Sequence, residues 1–505
     1  MDNKQLVVVK SANCRLGRDK ALRIDDFSIS LGQQWCIYGG NGTGKSILAE
    51  LISGRRRESA SYVYYPTGLD PRLDIHLVSF EEQQRLWQTD NRLDMSEFSE
   101  SAEDKGTTVA RLIYSARVSE NVDEELFRNL IDTLDLAQFV NQGIRFLSSG
   151  QVRKALIARA LYASRSGYGQ LIILDDPLET VDLASKEKIK DCIESHQSSD
   201  NCIVQLCRRE QDVLAGCTHL AVMESLTMVA QGECSTIKKG QEYARVRAIP
   251  KPVFWSALPP PAFAIEDDPD VPLIELRNVD AGYGDNRILH KFSWRMMQGD
   301  HVLIEGPNGC GKSTLLSLIN GENHKAYGQD VLLFGKRRGS GETIWDVKAK
   351  FGVVSNELHN KYQKGWRLLD VVVSGFFDSV GLYDDSGGQQ VAQGRRWLSM
   401  VGLENHERSY YHELSFGQQR LALLARAMVK VPRILILDEP CVGLDDYHRI
   451  HILQLLDEIA KVTATQLIYV SHVAARRPQC LNTRLSFVPK REGVFEIESG
   501  LISSL

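Results

Sequence analysis

Apolar positions along this chain come in two spacings that alternate. Short unbroken runs such as "HVLIEG", "LIILD" and "QLIYVS" end on glycine, an acid or serine. Runs of that length predict strands buried on both faces of a parallel sheet. Between them lie stretches such as "GQQRLALLARAMV", whose apolar residues recur at helical spacing. Strands alternating with helices predict an α/β chain.

The pattern is written twice. "WCIYGGNGTGKSILAELISG" (35–54) aligns without gaps on "VLIEGPNGCGKSTLLSLING" (302–321), and "FLSSGQVRKALIARALYA" (146–163) on "ELSFGQQRLALLARAMVK" (413–430). "LIILDDP" (171–177) and "ILILDEP" (434–440) follow in the same order. Self-similarity on this scale predicts a duplicated unit: a first domain over 1–236, a linker over 237–272 and a second domain over 273–505. Within the linker, "IPKPVFWSALPPPAFAIEDDPDVP" (249–272) holds seven of the fifteen prolines. Proline lacks a donor and has a fixed φ, so a semi-rigid extended stretch is expected. For the part around Phe254 and Trp255, packing against one lobe is an equal alternative.

Composition narrows the class. A chain of 505 residues, 43% hydrophobic and 25% charged, reads as soluble and globular with more than one domain. A net charge of −5 offers no global attraction to nucleic acid or anionic lipid. No apolar run approaches the roughly 18–20 residues that span a bilayer, and "MDNKQLVVVK" is too short for a secretory signal. The expected location is the cytoplasm, at most peripheral on the cytoplasmic face of the inner membrane, so any membrane crossing belongs to another chain. Ten cysteines at irregular spacing form no C-x-x-C pair, which favours reduced buried thiols over zinc. The basic clusters "GRRR" (54–57) and "GKRR" (335–338) read as solvated faces.

"GGNGTGKS" and "GPNGCGKS" each satisfy G-x-x-x-x-G-K-[ST] between a strand and a helix, the context of a phosphate loop. Gly39, Gly40, Asn41, Gly42, Thr43 and Gly44 in one copy, and Gly306, Pro307, Asn308, Gly309, Cys310 and Gly311 in the other, would wrap backbone amides around phosphates at a helix N-terminus. Lys45 and Lys312 would bridge the β- and γ-phosphates of ATP, and Ser46 and Ser313 would reach Mg²⁺. Asp175 and Asp438, ending buried strands, would hold the same ion, usually through water. The next acid, Asp176 or Glu439, would orient and deprotonate the attacking water.

"LSSGQ" (147–151) and "LSFGQ" (414–418), ahead of helices and before the acidic motifs, resemble the signature of ATP-binding-cassette (ABC) ATPases; "LETVD" (178–182) and "CVGLD" (441–445) resemble its D-loop. The resemblance covers everything but the linker. It implies two P-loop NTPase ABC nucleotide-binding domains in tandem, each with a RecA-like core and a helical lobe, pairing head to tail within the chain. Ser148, Gly150 and Gln151 of one signature, and Ser415, Gly417 and Gln418 of the other, would then contact ATP held on the opposite phosphate loop. The same resemblance exposes an asymmetry. Tyr283 stands where the family stacks an aromatic on adenine, whereas Leu16 stands at the matching place in the first half. His472 matches the family's switch histidine, whereas the first half offers Arg208. With Asp176 for Glu439, three positions weaken one site together. The first site is therefore expected to hydrolyse ATP slowly and the second, using Glu439 and His472, to carry turnover. The family's metal-ligating glutamine is missing from both halves: "SFEEQQ" (79–84) offers Phe80 and Glu81, and "SNELHN" (355–360) offers Asn356 and Glu357. Glu81 and Glu357 align after the same serine, and either is able to serve as the oxygen ligand; for Gln83 an ordinary surface residue is the equal alternative.

Two cassettes, a short proline-rich linker, "SFEEQQ", "VSNEL" and the tail "SHVAARRPQCLNTRLSFVPK" look like the ModF-type tandem ABC ATPases, a group linked by name with molybdenum (molybdate) import and photorepair. That implies an ATPase engine for transport, docking to a separate membrane permease. The alternative is an ABC ATPase that remodels a nucleic-acid, ribosomal or repair complex. The short linker and the lack of heptads or cysteine pairs in 47–146 and 314–413 argue against it. Intact motifs in the second half argue against a scaffold that only binds. "SVGLYDDSGGQQVAQGRRWL" (379–398) falls in the lobe that meets the partner in this family; an ordinary loop is the equal alternative.

Overall fold

The computed structural model describes residues 5–16, 21–92, 106–116, 123–163, 170–179, 181, 183–199, 201–248, 270–283, 286–307, 309–320, 328–341, 343–362, 365–382, 386–471, 477–491 and 494–502. The chain divides into two compact units, Met1–Ile249 with Asp445–Tyr447, and Pro250–Leu444 with His448–Leu505.

In the first unit the strands are β1 (Gln5–Arg15), β2 (Ala21–Ser30), β3 (Trp35–Tyr38), β4 (Val63–Tyr64), β5 (Ile75–Val78), β6 (Gln170–Asp175), β7 (Asn201–Cys207), β8 (His219–Glu224) and β9 (Thr227–Glu233). They form one sheet in the order β4-β1-β2-β9-β8-β3-β7-β6-β5. Its parallel part, β8-β3-β7-β6-β5, contains the unbroken apolar runs. Every residue of β3 and β6 is buried, so alternation vanishes there, as expected of strands covered on both faces. A helical lobe is built from Val109–Tyr114, Glu124–Thr133 and Ser149–Tyr162, closed around Leu112, Leu130, Ile144 and Leu156.

The second unit repeats the parallel order. Its strands are β10 (Ile274–Tyr283), β11 (Asn286–Met296), β12 (Val302–Glu305), β13 (Asp330–Leu333), β14 (Lys336–Arg337), β15 (Phe351–Val354), β16 (Ile434–Asp438), β17 (Gln466–Ser471), β18 (Thr483–Arg491) and β19 (Val494–Leu501). They make a six-stranded sheet, β15-β16-β17-β12-β18-β19, and a four-stranded one, β11-β10-β13-β14. Helices Leu368–Val373, Gly388–Met400 and Phe416–Met428 form its lobe around a fully buried Trp397. Helix Gly388–Met400 takes in the last eleven residues of the 379–398 segment and buries Trp397 and Leu398, so that part of the stretch is packed helix.

Residues 241–247, within the span that the sequence assigns to the linker, form a helix. It docks on the first unit because Tyr243 is 1% exposed, its ring 5.2 Å from that of Tyr38. The proline-rich part with Phe254 and Trp255 lies outside the described residues. All ten cysteines are free thiols, eight of them buried. Among the described residues no helix is long and apolar enough to cross a membrane.

Candidate nucleotide sites

Strand order and register assemble each site. β3 pairs with β7 so that Tyr38 lies opposite Cys207, and β6 pairs with β7 so that Asp175 lies opposite Leu206. The next residues, Gly39, Arg208 and Asp176, therefore leave the sheet along one carboxyl edge, where open α/β sheets bind ligands. In the second unit Glu305 pairs with Ser471, and Asp438 with Val470, which brings Gly306 and Glu439 to the equivalent edge.

Each phosphate loop turns on glycines that no other residue replaces cheaply. Gly44, at φ 95°, is the N-cap of helix Lys45–Ile52, and Gly311, at φ 106°, immediately precedes helix Lys312–Asn320. These are left-handed conformations that favour glycine. A Cβ on Gly39 would lie 2.6 Å from the Met223 carbonyl oxygen, and one on Gly306 would lie 2.7 Å from Phe487 Cβ. Gly42 and Gly309 also have positive φ. The Lys45 ammonium donates to the carbonyls of Gly39 at 2.7 Å and Gly40 at 2.8 Å. Lys312 does the same to Gly306 at 2.8 Å and Pro307 at 2.9 Å. Both lysines are buried. Burial lowers the Lys45 pKa, and the carboxylate of Asp176 opposes that shift. Thr43 donates its hydroxyl to the Gly40 carbonyl at 2.9 Å, and Cys310 is buried with Sγ 3.9 Å from Lys312 Nζ. Asn308 is outside the described residues.

The predicted metal ligands meet in the first unit and share one cavity in the second. Ser46 hydrogen-bonds the Asp175 carboxyl, whose pKa burial raises. Ser313 and Asp438 line one cavity of about 600 Å³, together with Asn356 and Glu357. Burial, then the neighbouring Glu439, pushes Asp438 up to about 6, with Lys312 pulling the other way. Asp176 and Glu439 both have positive φ, and both amides donate to the adjacent strand, at Leu206 and Val470.

The two signatures are helix N-termini. Ser148 caps Ser149–Tyr162, accepting from the Gln151 amide at 3.3 Å while Gln151 Oε1 accepts from the Ser148 amide at 2.8 Å. Ser415 and Gln418 form the same reciprocal box ahead of Phe416–Met428, at 3.3 and 3.0 Å. The glutamines thus hold the cap that presents Gly150 and Gly417. A Cβ on Gly417 would lie 2.3 Å from the His448 ring, so a side chain there is blocked.

Arg208 stands where the second half of the sequence has His472. Its Nε lies 2.7 Å from the Asp176 carboxylate, its Nη2 pairs with Glu179, and its Nη1 donates to Asn41 Oδ1 at 3.3 Å. Burial raises the Asp176 pKa to about 6 against the pull of Arg208. Burial opposes the charge on Glu179, but Arg208, Arg153 and Arg209 together outweigh it and hold Glu179 below its ordinary value. Glu179 was not among the residues that the motifs pick out; its signal is that the gapless counterpart is apolar, Val442. Leu16 is half-buried beyond the end of β1, and Tyr283 ends β10 opposite Asn286. His472 lies outside the described residues, directly after β17.

The residues offered in place of the glutamine differ in their surroundings. Gln83 is buried, whereas Glu357 is exposed and pairs with Lys361 at 2.6 Å. Arg420 donates to Asn356 Oδ1, and Glu81 is exposed but close enough to act on Asp175. In the basic clusters, Arg55 meets Glu82 at 3.0 Å and Arg56 meets Glu50 at 3.4 Å, while Arg338 is buried.

The donor set fits a magnesium nucleotide. The glycine cradles exclude side chains, a buried ammonium sits inside each, and a serine and an aspartate, both oxygen donors, stand next to it.

A family model described as ABC transporter matches residues 22–179 and 289–442. The chain belongs to this family and is an ATPase with two ATP-binding cassettes in tandem. It is 35% identical over 499 residues to the ABC transporter ATP-binding protein ModF of Escherichia coli K12, covering 94% of this chain and 95% of that one. It is 25% identical to an uncharacterised ABC transporter ATP-binding protein of Schizosaccharomyces pombe, over 91% of this chain and 93% of the other. Among solved structures, an archaeal ribosome recycling factor in complex with a ribosomal stalk protein shares the fold, with a TM-score of 0.59 at 15% identity, covering 96% of this chain and 89% of that one. The protein titled RNase-L Inhibitor gives 0.58 at 15% identity, over 97% and 90%.

Proposed function

We propose that this tandem ATPase is the engine of a molybdate-type ABC transport system, acting on a separate membrane permease, with most turnover at its second site. Lys312 would hold the phosphates, Ser313 and Asp438 would hold Mg²⁺, and Glu439 with His472 would act on the attacking water. A bound Mg²⁺ supplies charge neutralisation at the developing phosphate oxygens. Glu439 provides the base, a role worth ~10²–10⁴-fold in rate. In the first site Lys45, Ser46 and Asp175 would still bind a magnesium nucleotide, but Asp176 is one methylene shorter and engaged elsewhere.

The observation that carries the asymmetric reading is the 2.7 Å ion pair of Asp176 with Arg208. Transport rests on the likeness to ModF over nearly the whole of both chains. The test is capture. Glu439→Gln is expected to trap ATP and hold the protein on its partner, with Lys312→Ala as the control. A polytopic membrane protein retained only by Glu439→Gln supports transport. Ribosomes, nucleic acid or a repair protein in its place would refute it and support the remodelling role.

A further inference from the structure

Three charged side chains of the first unit form a cluster that the second unit does not repeat. Asp176, Glu179 and Arg208 are only 18%, 18% and 13% exposed. One guanidinium serves both carboxylates and reaches back to Asn41 in the phosphate loop. Only about 10 Å³ of open space lies among Asp176, Glu179, Arg208 and their neighbours, about the room for one water. The acidic motifs align Asp176 with Glu439 and Glu179 with Val442, and the strand register, Leu206 facing Asp175 as Val470 faces Asp438, aligns Arg208 with His472. A charge in such surroundings is costly without its partner, so the exchange of Val for Glu and of His for Arg makes sense only as a pair. Glu179 is what lets an arginine stand where the other half has histidine.

We propose that Arg208, anchored by Glu179, clamps the Asp176 carboxylate as an ion pair and withholds it from an attacking water, with Glu179 as the positioning residue. A carboxylate oxygen that already accepts a charge-assisted bond at 2.7 Å is a weaker base for water. Arginine itself cannot take a proton at neutral pH. The missing methylene of Asp176 is then only part of the first site's deficit, and lengthening that side chain alone does not restore the site. The inference rests on the proposal that turnover belongs to the second site.

The test uses the full chain in a Glu439→Gln background, with kcat and KM for ATP as readouts. Asp176→Glu is compared with the same substitution accompanied by Glu179→Val and Arg208→His. The clamp predicts at least about tenfold higher kcat in the triple variant than in the single one, since a freed general base is worth ~10²–10⁴-fold, with KM changed less than about threefold. Equal kcat in the two, whether both active or both silent, overturns the clamp. ATP binding by fluorescence titration checks that each variant folds. Should the triple variant fail to bind ATP, Asp176→Glu with Glu179→Gln keeps the shape and removes the anchoring charge. That pair must raise kcat above Asp176→Glu alone, or the clamp fails. A wild-type rate in Glu439→Gln alone would refute the proposed asymmetry instead, a result separate from the ratio that judges the clamp.

Discussion

Asp176 and Glu439 share one backbone conformation, with φ of 46° and 50°, each amide donating at 3.2 Å to the carbonyl of the neighbouring parallel strand. A left-handed residue other than glycine costs of order 1–3 kcal/mol and persists where surroundings hold it. Here the acidic strand and the strand beside it hold it twice. The two halves therefore aim their acids alike, and any difference in chemistry comes from side-chain length and from what each carboxylate meets.

Glu439→Gln is expected to remove nearly all ATP hydrolysis, by ~10²-fold or more, whereas Asp176→Asn should lower it less than about twofold. Steady-state phosphate release at saturating ATP decides this. Equal losses from the two substitutions would end the idea of unequal sites.

Lys45 and Lys312 have matching bonds to their loops, so both cassettes are expected to bind nucleotide even though one turns it over. Equilibrium dialysis of Glu439→Gln should give two ATP per chain, and adding Lys45→Ala should leave one. A single ATP before the second substitution would mean that the first site does not bind.

The signature caps are structural before they are functional. Ser415→Ala removes one half of the capping box with Gln418 and is expected to cost about 1 kcal/mol of stability. A shifted denaturant midpoint with unchanged m-value reads it. No shift would mean that the hydroxyl contributes nothing to the helix.

Stability should fall in mild acid. Burial holds both His76, in the first unit, and His359, in the second, at about 4, against about 6.5 for an unfolded histidine. Between those values the unfolded chain binds more protons, so the contribution present above about pH 6.5 is lost as pH falls toward 4. Each histidine adds at most about 1.4 kcal/mol per pH unit in that window. Urea midpoints at pH 7 and pH 5 test it: His359→Gln should flatten the drop, and an unchanged drop would remove His359 as its cause.

Much of the architecture was legible because its cause is local. The buried runs at 171–175 and 434–438 became strands β6 and β16, and the glycines of both loops lie where a side chain would collide with Met223 or Phe487. Less legible was whatever depended on a distant neighbour. Residues 241–247 carry no strong periodic signal and fold because Tyr243 finds Tyr38. Gln151 and Gln418 read as ligands from the motif, and the bonds by which their side chains close helix caps were not part of that reading. Glu179, unremarked within "LETVD", matters only because a later strand places Arg208 against it.

Duplication, strand runs, phosphate loops and acidic motifs were determined by the sequence itself, because each rests on spacing along one stretch of chain. What only the tertiary structure decided is the company each acid keeps. Arg208 is far from Asp176 in the chain and reaches it because β6 and β7 lie side by side in parallel register, ending one residue before each. A charge becomes a base or half of an ion pair according to the group that stands a few ångströms away, and in this fold adjacent strands choose that group.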